Sequence, residues 1–168
     1  MSEDLKRVNV TINGKLRRFL IGDDDGCVSP SETLLDTLRY RLGLTGSKKS
    51  CDHGACGCCT VLMDGEPVDS CMLLTAECDG REITTIEGLC DPVTGELGPL
   101  QKAFVDNSAF QCGYCTPGII MSTEALLRRQ PHPSESELTE ALSGNYCRCI
   151  SHYQVVRTVM EYVEKGGA

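Results

Sequence analysis

The chain has no tryptophan and only five tyrosines and three phenylalanines in 168 residues, so its core must be assembled mainly from Leu, Val, Ile, Met and Ala. It also lacks any run of about 18 apolar residues, the length a membrane-spanning helix needs, and direct membrane insertion is not expected. The start, Met1-Ser2-Glu3-Asp4-Leu5-Lys6, offers no basic stretch followed by an apolar run, so no secretion signal is read and the expected location is cytoplasmic. Positive charge is scarce: the formal net charge is −8, and Arg17-Arg18, Lys48-Lys49 and Arg128-Arg129 are isolated pairs, which excludes a nucleic-acid partner. No Gly-rich phosphate loop, G-x-S-x-G or H-E-x-x-H is present. The chain is therefore expected to hold no catalytic residue and to turn over no substrate alone.

What is abundant is cysteine, at 12 residues. An apolar fraction of 40% and a mean hydropathy of −0.16 describe a globular protein of one ordinary domain or two small ones. In a reducing compartment thiols stay reduced, so many cysteines without an export signal point to metal binding rather than to a disulfide framework.

The halves differ in texture. Val8, Val10 and Ile12 alternate with polar residues, Asn13-Gly14 is a two-residue hairpin signal, and Leu16, Phe19 and Ile21 follow in a second strand. Pro30-Ser31-Glu32 opens a helical pattern through Leu34, Leu35, Leu38 and Leu42, stopped at Gly43. Further strands are predicted on either side of Asp64-Gly65 and Asp79-Gly80, the latter flanked by Cys78 and by Ile83 to Ile86. Gly88, Pro92, Gly95, Gly98 and Pro99 mark a connector, after which helices are predicted over Leu100 to Asn107, from Thr116-Pro117 as cap and first residue, behind the capping box Ser134-Glu135-Ser136-Glu137, and along Val155, Val156, Val159, Met160 and Val163. The expected fold class is α+β, strands first and then a small bundle of about four helices, divided as 1–87 and 88–168.

The cysteines fall into two sets. Cys51, Cys56 and Cys59 are spaced C-x4-C-x2-C with Cys71 further on, the plant-type ferredoxin spacing for a [2Fe–2S] cluster, and Gly54 and Gly57 can bend that loop around two irons. Backbone N–H groups of such a loop also reach the cluster sulfurs. Cys112 and Cys115 form C-x2-C before one helix, and Cys147 and Cys149 form C-x-C before another. A thiolate-ligated cluster is an anion, and each helix N-terminus favours an adjacent negative charge by about 0.3–1 kcal/mol. Structural zinc is the competing reading, yet zinc sites pair two C-x2–4-C knuckles, which neither set does. A thioredoxin-like use of C-x2-C would need a βαβ setting that is absent here. A zinc-stapled interaction module and a free-standing two-cluster ferredoxin are the alternatives.

Leu34-Leu35-Asp36-Thr37-Leu38-Arg39, Leu42-Gly43-Leu44-Thr45-Gly46, Cys51 through Thr60, Thr85-Ile86-Glu87-Gly88, Gln111-Cys112-Gly113-Tyr114-Cys115-Thr116-Pro117-Gly118 and Gly144-Asn145-Tyr146-Cys147-Arg148-Cys149 together resemble the iron–sulfur (small) subunit of the xanthine dehydrogenase/aldehyde oxidase, or molybdenum hydroxylase, family. The resemblance implies an N-terminal β-grasp plant-type ferredoxin domain followed by a C-terminal four-helix bundle. It implies two [2Fe–2S] clusters, on Cys51, Cys56, Cys59 and Cys71 and on Cys112, Cys115, Cys147 and Cys149. It further implies a heterotrimer with a large molybdenum–pterin subunit and a medium FAD subunit, such trimers pairing as a dimer, with electrons passed singly from pterin to flavin. Gln111 and Cys149 match positions that contact the pterin. Three departures stand out: Ser50 where glycine is usual, Cys58 for a common alanine, and Ile150-Ser151-His152 for Thr-Gly-Tyr. His152 is read either as a tuning residue or, more simply, as a polar residue of a first helical turn.

The remaining Cys27, Cys58, Cys78 and Cys90 are read as structural thiols. His53 has no second histidine for a Rieske-type site, and Asp23-Asp24-Asp25 lacks the spaced oxygens of a calcium loop.

Overall fold

The computed structural model describes residues 5–167. The alternation at the start makes β1 (Lys6–Ile12) a strand with one apolar edge, and Val8, Val10 and Ile12 are all buried. Asn13 and Gly14 take positive φ, 49° and 72°, as a type I′ hairpin requires, and return the chain into β2 (Lys15–Ile21). Only Ile21 of that strand is buried, because β2 is the outer strand of a five-stranded sheet ordered β2-β1-β5-β3-β4. The strands β3 (Thr60–Met63) and β4 (Glu66–Asp69) form the second hairpin around Asp64-Gly65. Between the hairpins runs β5 (Glu82–Thr84), parallel to β1 and antiparallel to β3.

Two expectations need correction here. The predicted helix does not open at Pro30: Thr33 caps it, its Oγ1 accepting from the Asp36 N–H at 3.2 Å, and α1 (Leu34–Asp36) widens into a π-helical turn over Thr37–Arg41. Glu32 is kept outside the helix because its carboxylate accepts from Thr37 Oγ1 at 2.6 Å and pairs with Arg41. Cys78 likewise ends a 3₁₀ turn, Thr75–Glu77, instead of lying in a strand, its N–H bonding locally to Thr75 at 3.1 Å. Leu34, Leu35 and Leu38 are fully buried, and Gly43, at φ 68°, ends the segment as expected.

After a second 3₁₀ turn at Ile86–Leu89 the chain is helical: α2 (Pro99–Asp106), α3 (Thr116–Arg129), α4 (Glu135–Ala141) and α5 (His152–Glu164). Thr116 is the first residue of α3, and Cys115 takes the cap position expected for Thr116. The Ser134–Glu137 capping box forms in both directions, at 2.7 Å and 3.3 Å. Ser151 caps α5, its Oγ accepting from the Tyr153 N–H at 3.1 Å. The fold is α+β. One buried cluster unites the four helices through Phe104, Ile119, Met121, Leu138, Leu142 and Val159, and it takes in Cys58, Leu62 and Ile86 from the strand half. The halves therefore share a core rather than sitting apart.

Phe104 is the bulkiest residue of that shared core, and Phe104→Ala is expected to cost about 3–5 kcal/mol in a denaturant unfolding titration.

Candidate metal centres

The loop between the π-helical turn and β3 carries Cys51, Cys56 and Cys59, while Cys71 follows β4. Gly54 and Gly57 hold positive φ, 72° and 64°, so the loop folds back on itself as the sequence predicted. Its thiols face one another in twos. The Cys51 thiol lies beside Cys56, and the Cys59 thiol beside Cys71. Backbone N–H groups do reach a sulfur, but from the neighbours of the glycines: Ala55 N–H donates to Cys51 Sγ at 3.3 Å. The N–H of His53 is the largest influence on the Cys51 thiol and, against the effect of burial, helps the Cys56 thiol and the Ala55 and Cys56 N–H groups draw it down to about 6. Cys59 is pushed up, chiefly by burial, with the Asp69 carboxylate adding to the rise. Leu35 packs on Cys59 and Cys71, and Ser70 Oγ donates to the Cys59 carbonyl at 2.7 Å, tying the two buried thiols together.

The second set assembles at the starts of α3 and α5. Cys112 and Cys149 lie 3.5 Å apart, Sγ to Sγ, at the surface, and the Cys115 and Cys147 thiols lie against one another beneath them. Burial first, then Cys147, pushes Cys115 to about 12. For Cys147 burial also acts upward, but the Cys115 thiol and the N–H groups of Ile150 and Cys149 outweigh it, and the thiol moves down. The Tyr114 N–H, followed by the Cys149 thiol, lowers Cys112.

These donors fit two-iron clusters. Each iron of a [2Fe–2S] centre takes two thiolates, and each set supplies two facing pairs. A structural zinc would instead gather four ligands on one point. All twelve cysteines are free thiols. Of the four outside the two sets, Cys58 and Cys78 are buried, and Cys27 and Cys90 are half-buried. His53 only approaches the Cys51 carbonyl, with Nδ1 at 2.6 Å, and Asp23 to Asp25 lie in an exposed turn.

The two sites are joined by backbone. The Tyr146 N–H donates to the Cys56 carbonyl at 2.9 Å, and Asn145 Nδ2 donates to the Gly57 carbonyl at 3.1 Å. Gly118 lies so near the Gly57 carbonyl that a Cβ there would overlap it. Tyr114 Oη closes the far side on the Lys49 carbonyl at 2.6 Å. The sequence marked Asn145 and Gly118 only as parts of motifs; nothing in the pattern gave their partners, which lie far away along the chain.

Residues 11–86 match the family described as 2Fe-2S iron-sulfur cluster binding domain, and residues 85–160 match the [2Fe-2S] binding domain. The chain is 46% identical over 158 residues to the nicotine 6-hydroxylase small subunit of Paenarthrobacter nicotinovorans, covering 94% of this chain and 90% of that one. It is 39% identical over 158 residues to the nicotinate dehydrogenase small FeS subunit of Eubacterium barkeri, covering 94% of this chain and 95% of the other. Among solved structures, a chain of quinoline 2-oxidoreductase from Pseudomonas putida 86 superposes with a TM-score of 0.84 at 38% identity, covering 99% of this chain and 100% of that chain. The chain is a small iron–sulfur subunit of the molybdenum hydroxylase family. As a member it carries two [2Fe–2S] domains and serves an oxidoreductase in electron transfer.

Within this molybdenum hydroxylase subunit, Asn145 is 3% exposed and braces the loop of the other site. Replacing it with Leu removes the bond between the lobes and leaves the Gly57 carbonyl to the Thr60 hydroxyl and N–H alone. The expected loss is about 0.5–1.5 kcal/mol, read as a lower unfolding midpoint of the cluster-loaded protein.

Proposed function

We propose that this chain is the single-electron relay of a molybdenum hydroxylase, with Cys51, Cys56, Cys59 and Cys71 holding one [2Fe–2S] cluster and Cys112, Cys115, Cys147 and Cys149 the other. The observation that carries the ligand assignment is the meeting of these eight thiols as four facing pairs. The mixed sheet is read as a β-grasp ferredoxin domain over 1–87 and α2 to α5 as a four-helix bundle over 88–168; the two family matches meeting at 85–86 support that division.

When bound, each cluster takes up and releases one electron without bond making, which is what a relay between a two-electron centre and a flavin requires. The protein supplies the rest. Backbone N–H groups at Cys51 and Cys147 donate to ligand sulfur, favouring the charged state that ligation needs. Leu35, with Cys59 and Cys71, keeps water from the inner pair of the first site. The N-terminus of α3 follows Cys115 directly and that of α5 begins three residues after Cys149, at His152, and both place partial positive charge near an anionic centre.

Partner subunits carry the remaining cofactors: a large one with the molybdenum–pterin and a medium one with FAD, joined with this chain in a heterotrimer that pairs with a second. Gln111, Cys112 and Cys149 are all exposed, which supports the reading of a pterin contact by Gln111 and Cys149 with the helical-lobe site nearer the pterin. The plant-type site then serves the flavin. No described helix is long and apolar enough to cross a membrane, and the free thiols suit a reducing, cytoplasmic setting. Substrate selection belongs to the large subunit.

Two outcomes check this reading. The purified complex should contain about four irons and four sulfides per copy of this chain and, after dithionite reduction, two distinct S = ½ EPR signals; one zinc per site and no signal would overturn it, as would purification of the loaded chain as a monomer that never meets larger subunits. Cys115→Ser should remove or reshape only one of the two signals, whereas loss of both would break the assignment of the sets.

A further inference from the structure

Asp69 ends β4 two residues before Cys71, and its Oδ1 lies 3.5 Å from Cys59 Sγ. Its other oxygen faces the glycine turn of the same loop: a Cβ built on Gly54 would stand 3.7 Å from Asp69 Oδ2. Carboxylates beside a metal-ligand loop usually pair with a cation or cap a turn, and this one does neither. Among the described residues no Lys, Arg or His pairs with Asp69, and its side chain has the Cys59 thiol as its hydrogen-bond partner. Once Cys59 binds iron it has no proton to donate, and the contact becomes a carboxylate set against an anionic sulfur.

We propose that Asp69 is a positioning residue that helps set the reduction potential of the plant-type site, its charge holding that site more negative than it would be without the carboxylate. This rests on the ligand assignment above and adds a residue to it. Reduction adds one negative charge to the centre, and a fixed negative charge beside Cys59 opposes that addition. The effect is local. The carboxylate also borders a cleft of about 130 Å³ shared with Gly57, Thr60 and Asn145, open enough for solvent to screen charge at longer range. The functional consequence is that an electron on the plant-type site is held less tightly than it would be without Asp69 and is passed on to the acceptor more readily.

The test is an EPR-monitored potentiometric titration of the intact complex carrying Asp69→Asn, Asp69→Ala, Asp69→Glu or Glu66→Gln. Glu66 lies on the same strand, is 61% exposed in its side chain and pairs with Arg129, so Glu66→Gln makes the same change in net charge away from the thiols. Cys71→Ser identifies the plant-type signal by altering or abolishing it. Asp69→Asn and Asp69→Ala should raise the midpoint of that signal and leave the other in place; Asp69→Glu should return it toward the unaltered value, and Glu66→Gln should move neither. If Asp69→Asn assembles with both signals and neither midpoint moves, or both move together, or Glu66→Gln shifts the plant-type midpoint as far as Asp69→Asn does, the role of Asp69 is refuted while the ligand sets stand. If the unaltered complex lacks two signals, the ligand assignment fails first and takes this role with it. Should Asp69→Asn not assemble, the Ala and Glu variants make the same comparison.

Discussion

Two backbone carbonyls in one loop, those of Cys56 and Gly57, organise this molecule. The first accepts from the Tyr146 N–H and the second from the Asn145 amide, while Thr60 donates to Gly57 twice from within its own lobe, at 2.8 Å and 3.3 Å. The residue after Tyr146 is Cys147, so a cysteine of one set is a single hydrogen bond and a short stretch of main chain from Cys56 of the other. Gly118, bare of a side chain, lets α3 lie against the Gly57 carbonyl. The distance between the sites is thus set by backbone carbonyls held inside a shared apolar core, by one main-chain N–H and by the buried Asn145 amide, as befits a relay whose centres must not drift apart.

Burial gives the relay a direction. Cys112 and Cys149 lie at the surface of the helical lobe, whereas Cys115 beneath them, and Cys59 and Cys71 in the other lobe, are buried. Under the proposed ligand assignment the outer pair is open to a partner and the inner pairs are shielded from water. Charge follows the same division. Helix N-termini favour an anion at the helical site, while at the plant-type site Asp69 opposes one, so the same type of centre is held in two unlike electrostatic settings.

Much of this was legible in the sequence because the relevant signals are local. Asn13-Gly14, the Ser134–Glu137 box and the C-x4-C-x2-C loop each encode their geometry within a few residues, and the structure carries them as read. What could not be read was either a matter of competition or of distance. Glu32 lies within a helical pattern but is drawn out of the helix by Arg41 and Thr37, and Cys78 lies in a strand-like stretch whose N–H bonds locally. Asp69 passes for an ordinary polar strand residue until β4 folds back over the loop and sets it against Cys59, ten positions away. The pairing of thiols across each set depends in the same way on chain segments that meet only after folding.

The central claim, that eight named sulfurs grip two two-iron centres, is tested most directly by anomalous diffraction at the iron absorption edge from crystals of the complex. The account predicts two iron atoms in each lobe of this chain, with Cys51 and Cys56 on one, Cys59 and Cys71 on its neighbour, and in the helical lobe Cys112 with Cys149 and Cys115 with Cys147. A lone metal in either lobe, or a bond to Cys58 or Cys90 in place of one of the eight, would contradict it.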